Sequence, residues 1–160
     1  MKYVTPFLLI LIFAMNSNAQ DAEKTDDLPY YEVPEYKNTK YTAGTVTARM
    51  LDGLGFRYRW ATEDLREEDL NYKASDSART IGETVEHLLN LSRVILNSTR
   101  KVPTDFTTQK PSLNHAQKRK ETLHNFEKAS AILMKSKSLK KFKIVFISKN
   151  GKKEFPFWNQ

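Results

Sequence analysis

The stretch that decides the fold occupies positions 78–100 and reads ARTIGETVEHLLNLSRVILNSTR. Thr80, followed three residues later by Glu83, forms a capping box, which is typical of the start of an α-helix. Five residues then recur every three to four positions and predict one buried helical face: Ile81, Val85, Leu88, Ser92 and Ile95. Polar residues at 97–99 and then Pro103 mark the end, so we expect a helix over about 81–99.

Two further helices are expected on either side of this one. The first runs from about Thr42 to Ala61, and its predicted buried stripe comprises Val46, Met50, Leu54 and either Arg57 or Tyr58. Three glycines in this segment lower its helix propensity, since glycine costs about 1 kcal/mol relative to alanine in a helix interior. The other helix begins at Ser112 or Asn114 and ends near Lys135.

The spacing of the hydrophobic residues changes after position 141. Phe142, Ile144 and Phe146 follow an alternating pattern, and Asn150-Gly151 separates them from a second short run that ends at Trp158. Asn-Gly between two such runs is the strongest short signal for a β-hairpin. We therefore expect a hairpin-like segment near the C-terminus.

The N-terminus has the features of a cleavable secretory signal peptide over residues 1–19. Lys2 supplies the positive start, Phe7–Met15 is an apolar run, and Ser17 and Ala19 give the small residues of a cleavage site. An uncleaved membrane anchor is the alternative, but the apolar run is shorter than the roughly 20 residues that a span requires. We expect an exported protein, periplasmic or secreted, with no transmembrane segment in the mature chain.

The length and composition indicate a single domain without cysteine chemistry. The chain has 160 residues and no cysteine, which excludes disulfides, thiolate metal sites and thiol catalysis. After the signal, residues 20–41 are polar and proline-containing and are interpreted as a linker whose aromatic residues lie along the domain. Residues 42–160 then form a single helical domain.

The net charge of +7 is unevenly distributed. Residues 21–35 are acidic, whereas residues 135–153 contain eight lysines and no acid. Nucleic-acid binding is one interpretation of the lysine run. Predicted export and the lack of arginine there favour a solvated, lysine-rich hairpin, so we expect no nucleic-acid partner. A loose attraction to an anionic membrane or cell-wall polymer stays open.

Histidine offers the one candidate metal ligand. On the helical wheel His87 lies about 100° from Leu88, at the edge of the buried face, with Glu83 one turn earlier. A Glu-x-x-x-His pair could supply two metal ligands, and the alternative is that Glu83 caps the helix. His115 and His124 are nine residues apart and therefore point to opposite sides of their helix. They cannot bind one ion together.

Several of these segments resemble the DinB-like superfamily, in its exported Bacteroidetes-type branch. The resemblance covers Tyr41 to Gln160. It rests on three segments: residues 78–88, the Glu68–Lys73 connection and the Glu154–Asn159 run. Four residues of the first helix also match: Leu51, Leu54, Phe56 and Trp60. The resemblance implies an all-α four-helix bundle, and a divalent metal such as zinc or nickel bound by histidines. His87 matches the ligand position of the second helix.

The resemblance also implies a fourth helix with a further histidine after the Phe-Pro-Phe-Trp-Asn run. Because the sequence ends at Gln160, we expect a bundle that lacks its fourth helix, and a metal that is absent if that helix is required. Family members include metal-dependent transferases and hydrolases, but enzymatic activity in this chain is not expected. Three functions stay open: a metal-binding protein, a non-catalytic helical module or homodimer, and a shortened inactive relative. The substrate is unknown.

Overall fold

The computed structural model of the chain describes residues 27–37 and 40–159, with only the backbone of Asn159. The predicted signal peptide lies outside the described residues, as does part of the predicted linker. The elements within the described part are α1 (Ala43–Ala61), α2 (Glu67–Asn71), α3 (Ile81–Arg100), β1 (Thr104–Asp105), α4 (His115–Met134), β2 (Lys143–Ser148), β3 (Gly151–Pro156) and a 3-10 turn (Phe157–Asn159).

The ends of the long helices follow their capping residues. Thr80 is the N-cap of α3, its backbone N–H donates to Glu83 Oε2 at 2.7 Å, and the Glu83 N–H donates to Thr80 Oγ1 at 2.9 Å. Reciprocal caps also begin α1 at Thr42 and α4 at Asn114. The capping box predicted from the sequence is confirmed, and the three long helices begin within a few residues of their predicted positions.

Helix α4 lies between α1 and α3. Arg119 near its start contacts Arg59 at the end of α1, while Ser130 near its end approaches Ala48, so α1 and α4 are antiparallel. Contacts between α3 and α4 run in the same order along both helices, which makes that pair parallel. Helices α1 and α3 pack extensively on α4 and at most marginally on each other. The main core lies along α4 and includes Leu51, Tyr58, Leu96, Leu123, Phe126, Ala129, Leu133, Phe142 and Phe157.

A three-stranded mixed sheet packs at the C-terminal end of α3. Its order is β1-β2-β3, with β1 parallel to β2 and β2 antiparallel to β3. Gly151 adopts the positive φ of +100° that the hairpin turn requires. The buried Ile144 and the hydrogen bond from Ser98 Oγ to the Lys143 carbonyl, 2.7 Å, attach β2 to α3.

The expected fold class, an all-α bundle without its fourth helix, is wrong. The described residues form four helices, one of them the short α2, together with the sheet. The hairpin is not an appendage, because Thr104 and Asp105 pair with Phe146 and Ile147 and complete the sheet. The fold is therefore a mixed arrangement of helices and a small sheet.

The described part of the predicted linker forms a strap along α1. Leu28 packs against the core, and the Leu28 carbonyl accepts a hydrogen bond of 2.7 Å from Arg59 Nη1. Tyr30 is buried, with its ring against Gly55, where a side chain would not fit. The strap therefore covers one side of α1 and leaves the side that faces α3 uncovered.

Candidate binding groove

Most of the α1 stripe that the sequence pattern predicts to be buried is exposed, although Tyr58, one of the two options for its last position, is buried. Val46, Met50 and Leu54 have exposed fractions of 43, 72 and 41%. Helix α1 instead buries its other face, where Gly44 lies directly against the Leu133 and Ser136 carbonyls and Ala48 is fully covered. The small residues allow a close approach of α4, and the described part of the chain leaves the larger apolar side chains largely uncovered.

Met50 and Leu54, together with Thr47 and Leu51, form one wall of an apolar groove of about 530 Å³. The groove lies above α4, whose Phe126 and Leu133 form its floor, and between α1 and α3. One end is closed by residues of the C-terminal segment. The remaining lining residues are Thr47, Met50, Leu51 and Leu54 of α1, Leu88, Leu91 and Ile95 of α3, and Leu139, Phe157 and Trp158.

Both walls present their side chains with the spacing of helix packing. The α1 residues lie at positions i, i+3, i+4 and i+7 from Thr47, and the α3 residues at i, i+3 and i+7 from Leu88. This is the spacing with which helices interdigitate along a shared face. The groove therefore has the form of a helix-packing site with one position open.

The lining carries no charged side chain, and Thr47 is its one hydroxyl group. Lysines lie instead in the segment that follows Leu139, at the end of the groove lined by C-terminal residues. The Lys141 ammonium is 5.1 Å from the centre of the Phe142 ring, and that ring packs on Phe157 with centroids 5.8 Å apart. Lys140 is exposed one residue after Leu139. An apolar ligand in this groove would meet positive charge at the Trp158 end.

The histidines are not brought together. His87 is exposed on α3, and Glu83 serves in the helix cap. His115 Nε2 lies 3.3 Å from the Thr62 carbonyl, and His124 contacts Glu127. Within the described residues, no group of three histidine, aspartate or glutamate side chains could hold a metal ion. His87 as a zinc or nickel ligand stays a prediction.

A second, polar cleft of about 460 Å³ lies between α3, α4 and residues 105–113. Arg93 bridges its helices by donating to both carboxylate oxygens of Glu121, at 2.5 and 2.8 Å. The hydrogen bond from Arg93 lowers the pKa of Glu121, and partial burial lowers that of Lys110. Lys118 and Glu86 also pair across this cleft, at 2.7 Å. Most of its charges are therefore engaged in holding α3 to α4.

A third cavity, about 370 Å³, lies beneath the strap. Tyr30 and Tyr36 each donate a hydrogen bond to one carboxylate oxygen of the buried Asp52. Burial, and then the neighbouring Asp52, raise the pKa of both hydroxyls well above the usual tyrosine range. This cluster anchors the strap to α1 and has a structural role.

The sequence pattern identifies most of the apolar α1 wall of the groove but predicts it to be buried. Comparison with protein-family models, curated proteins and solved structures finds no match. The resemblance to the DinB-like superfamily therefore stays a prediction. Among the helices of the described residues, none is long and apolar enough to cross a membrane.

Proposed function

We propose that this protein is a non-catalytic binding module whose groove receives the apolar face of an amphipathic α-helix from an acidic partner protein. One observation carries the proposal. Two helices that pack at most marginally on each other present uncharged apolar side chains, at helical spacing, toward the same open channel. Helix-in-groove recognition uses such a surface and anchors the ligand through residues at i, i+3, i+4 and i+7.

The groove suits a helix better than a small polar ligand. Small-molecule sites combine apolar walls with a few polar groups that orient the ligand. Here the lining offers Thr47 and the Trp158 indole, with no charge. Burial of an exposed side chain the size of Met50 contributes about 1.5–3 kcal/mol. Several such side chains along two walls would supply the affinity of a helix contact.

Charge favours an acidic partner over a second copy of this chain. Lys140 follows the groove residue Leu139, Lys141 contacts the Phe142 ring that packs on Phe157, and the chain carries a net charge of +7. Helix α1, which bears the exposed stripe, has one acidic residue, Asp52, and that residue is buried. Self-association through α1 would therefore bring no exposed acid of that helix to the basic end. The predicted export would place the acidic partner in the periplasm or outside the cell.

Titration calorimetry with two synthetic peptides of about 18 residues tests the proposal. Both peptides carry leucine at helical spacing, and their polar faces are glutamate in one and lysine in the other. We expect the glutamate peptide to bind at least about tenfold more tightly, because it complements the basic end. Equal affinities, or no binding of either peptide, would contradict the proposal.

Variants locate the binding on the groove. Met50→Glu places a charge on the α1 wall and should weaken binding of the glutamate peptide by about tenfold or more, because the charge would be buried on binding. Tyr72→Glu makes the same charge change at an exposed site outside the groove and should leave the affinity within about twofold. Equal effects of the two variants would show that the peptide does not occupy the groove.

The alternatives left open by the sequence give different results. A second copy in the groove would appear in light scattering as a dimer that Met50→Glu dissociates. A metal centre would appear as stoichiometric zinc or nickel that is lost in His87→Ala. Either result would replace the acidic-helix proposal as the account of function.

A further inference from the structure

Three phenylalanine rings form a continuous row across the three-stranded sheet. Phe106 follows β1, Phe146 lies on β2 and Phe155 on β3. The ring centroids are 5.3 Å apart for Phe106 and Phe146, and 5.9 Å for Phe146 and Phe155. Phe106 and Phe155 are nevertheless 55 and 36% exposed. The row is thus an apolar surface that the described part of the chain leaves partly uncovered.

Lysines surround this row. Lys153 lies directly opposite Phe146 in the antiparallel pair and shares its face, and Lys149 stands at the turn, whereas Lys152 pairs with Ile147 on the other face. All eight lysines between positions 135 and 153 are exposed. Lys143 alone among them has a carboxylate within reach in the described residues, Glu154 at 3.6 Å. The hairpin therefore presents positive charge beside exposed aromatic surface.

We propose that this Phe–Lys face, defined as Phe106, Phe146, Phe155, Lys149 and Lys153, binds the surface of an anionic lipid bilayer. Interfacial binding combines burial of apolar side chains at the headgroup boundary with attraction of lysines to anionic lipids. Both components are present on one face of the sheet. The inference is independent of the groove, because the two surfaces share no residue.

The ring geometry favours a bilayer over a nucleic acid. Stacking platforms for bases need aromatic faces that stay open to successive bases. Here the rings are tilted at 53 and 56° to their neighbours and pack against one another. They form a continuous apolar row, and a ligand recognised by charge alone would not use it.

Flotation of the full chain with lipid vesicles tests the proposal. Vesicles of pure phosphatidylcholine are compared with vesicles that contain about 30% phosphatidylglycerol. We expect the protein to float with the anionic vesicles and to remain largely in solution with the neutral ones. No binding to anionic vesicles, or equal binding to both compositions, would overturn the proposal.

Two pairs of variants separate insertion from simple charge attraction. Lys149→Glu/Lys153→Glu should reduce binding about tenfold or more, whereas Lys120→Glu/Lys128→Glu, the same charge change on α4, should reduce it much less. Phe106→Ser should weaken binding at least about fivefold, and Tyr72→Ser, at an exposed aromatic elsewhere, should not. Circular dichroism confirms that each variant is folded.

A polyanion provides the final comparison. Binding to heparin should be equal for Phe106→Ser and the unchanged protein, because a ligand recognised by charge alone would not use the Phe106 ring. If Phe106→Ser binds vesicles as well as the unchanged protein does, the face recognises negative charge in general and the bilayer proposal is wrong.

Discussion

The Tyr30 hydroxyl donates a hydrogen bond of 2.8 Å to Oδ1 of Asp52, and both side chains are buried. Tyr36 donates to the other carboxylate oxygen of Asp52. The strap and α1 are thus joined by a carboxylate whose two oxygens each receive a tyrosine hydroxyl. The junction holds the strap on one side of α1, and the groove wall lies on the opposite side.

Removal of one hydroxyl should destabilise the protein measurably. Tyr30→Phe leaves an oxygen of the buried Asp52 without that donor, and we expect a loss of about 1–3 kcal/mol in the free energy of unfolding. Tyr31→Phe, on the exposed neighbouring ring, should change the free energy by no more than about 0.5 kcal/mol. Urea denaturation followed by circular dichroism gives both values. Similar losses in the two variants would show that the junction is not a specific anchor.

The same junction predicts a loss of stability in alkali. The pKa values of Tyr30 and Tyr36 are raised in the folded protein by burial and by Asp52. Since the folded pKa exceeds that of the unfolded chain, about 10, the stabilisation is present below pH 10 and is lost as the pH rises above it. The unfolding free energy should fall above about pH 10, and Tyr30→Phe/Tyr36→Phe should flatten that fall. An unchanged slope in the double variant would contradict the assignment.

The Arg93–Glu121 pair predicts that the free energy of unfolding depends on pH in the acidic range. Hydrogen bonding from Arg93 lowers the folded pKa of Glu121 below its unfolded value, so the stabilisation is present above about pH 4.3 and is lost as the pH falls through the folded pKa. Glu121→Gln should lose about 1 kcal/mol at pH 7, because the pair is only partly shielded from solvent. The difference from the unchanged protein should shrink below pH 4. A difference that is independent of pH would contradict this account.

Two glycines of α1 should respond oppositely to alanine. A methyl group at position 44 would overlap the Leu133 and Ser136 carbonyls, whereas one at position 53 would meet the movable Arg57 guanidinium, at 3.2 Å. Gly44→Ala should therefore destabilise the protein by about 1–3 kcal/mol or more. Gly53→Ala should stabilise it by up to about 1 kcal/mol through helix propensity. Thermal unfolding checks both, and a stable Gly44→Ala variant would disprove the close α1–α4 approach.

Local sequence signals predicted the long helices and the hairpin. Thr80 with Glu83, and Asn150 with Gly151, act within a few residues of themselves, and the structure has α3 and the β2–β3 turn at those positions. Such signals depend on local hydrogen bonds and backbone conformation, so no knowledge of the rest of the chain is needed.

Long-range features could not be predicted in the same way. Strand β1 has only two residues, and its pairing with β2 joins positions about forty residues apart. The exposed stripe of α1 was predicted to be buried because hydrophobic spacing shows which side chains share a face. It does not show which face meets α4, and the tight fit at Gly44 decides that. The groove arises from this packing choice.

The emission of Trp158 tests the central claim most directly. The chain has two tryptophans, so Trp60→Phe leaves Trp158, at the end of the groove, as the only one. Addition of the glutamate peptide should shift its emission to shorter wavelength and protect it from acrylamide quenching, and Met50→Glu should abolish both changes at the same peptide concentration. If calorimetry detects binding while the Trp158 emission and quenching stay unchanged, the helix does not occupy the groove and the account is wrong.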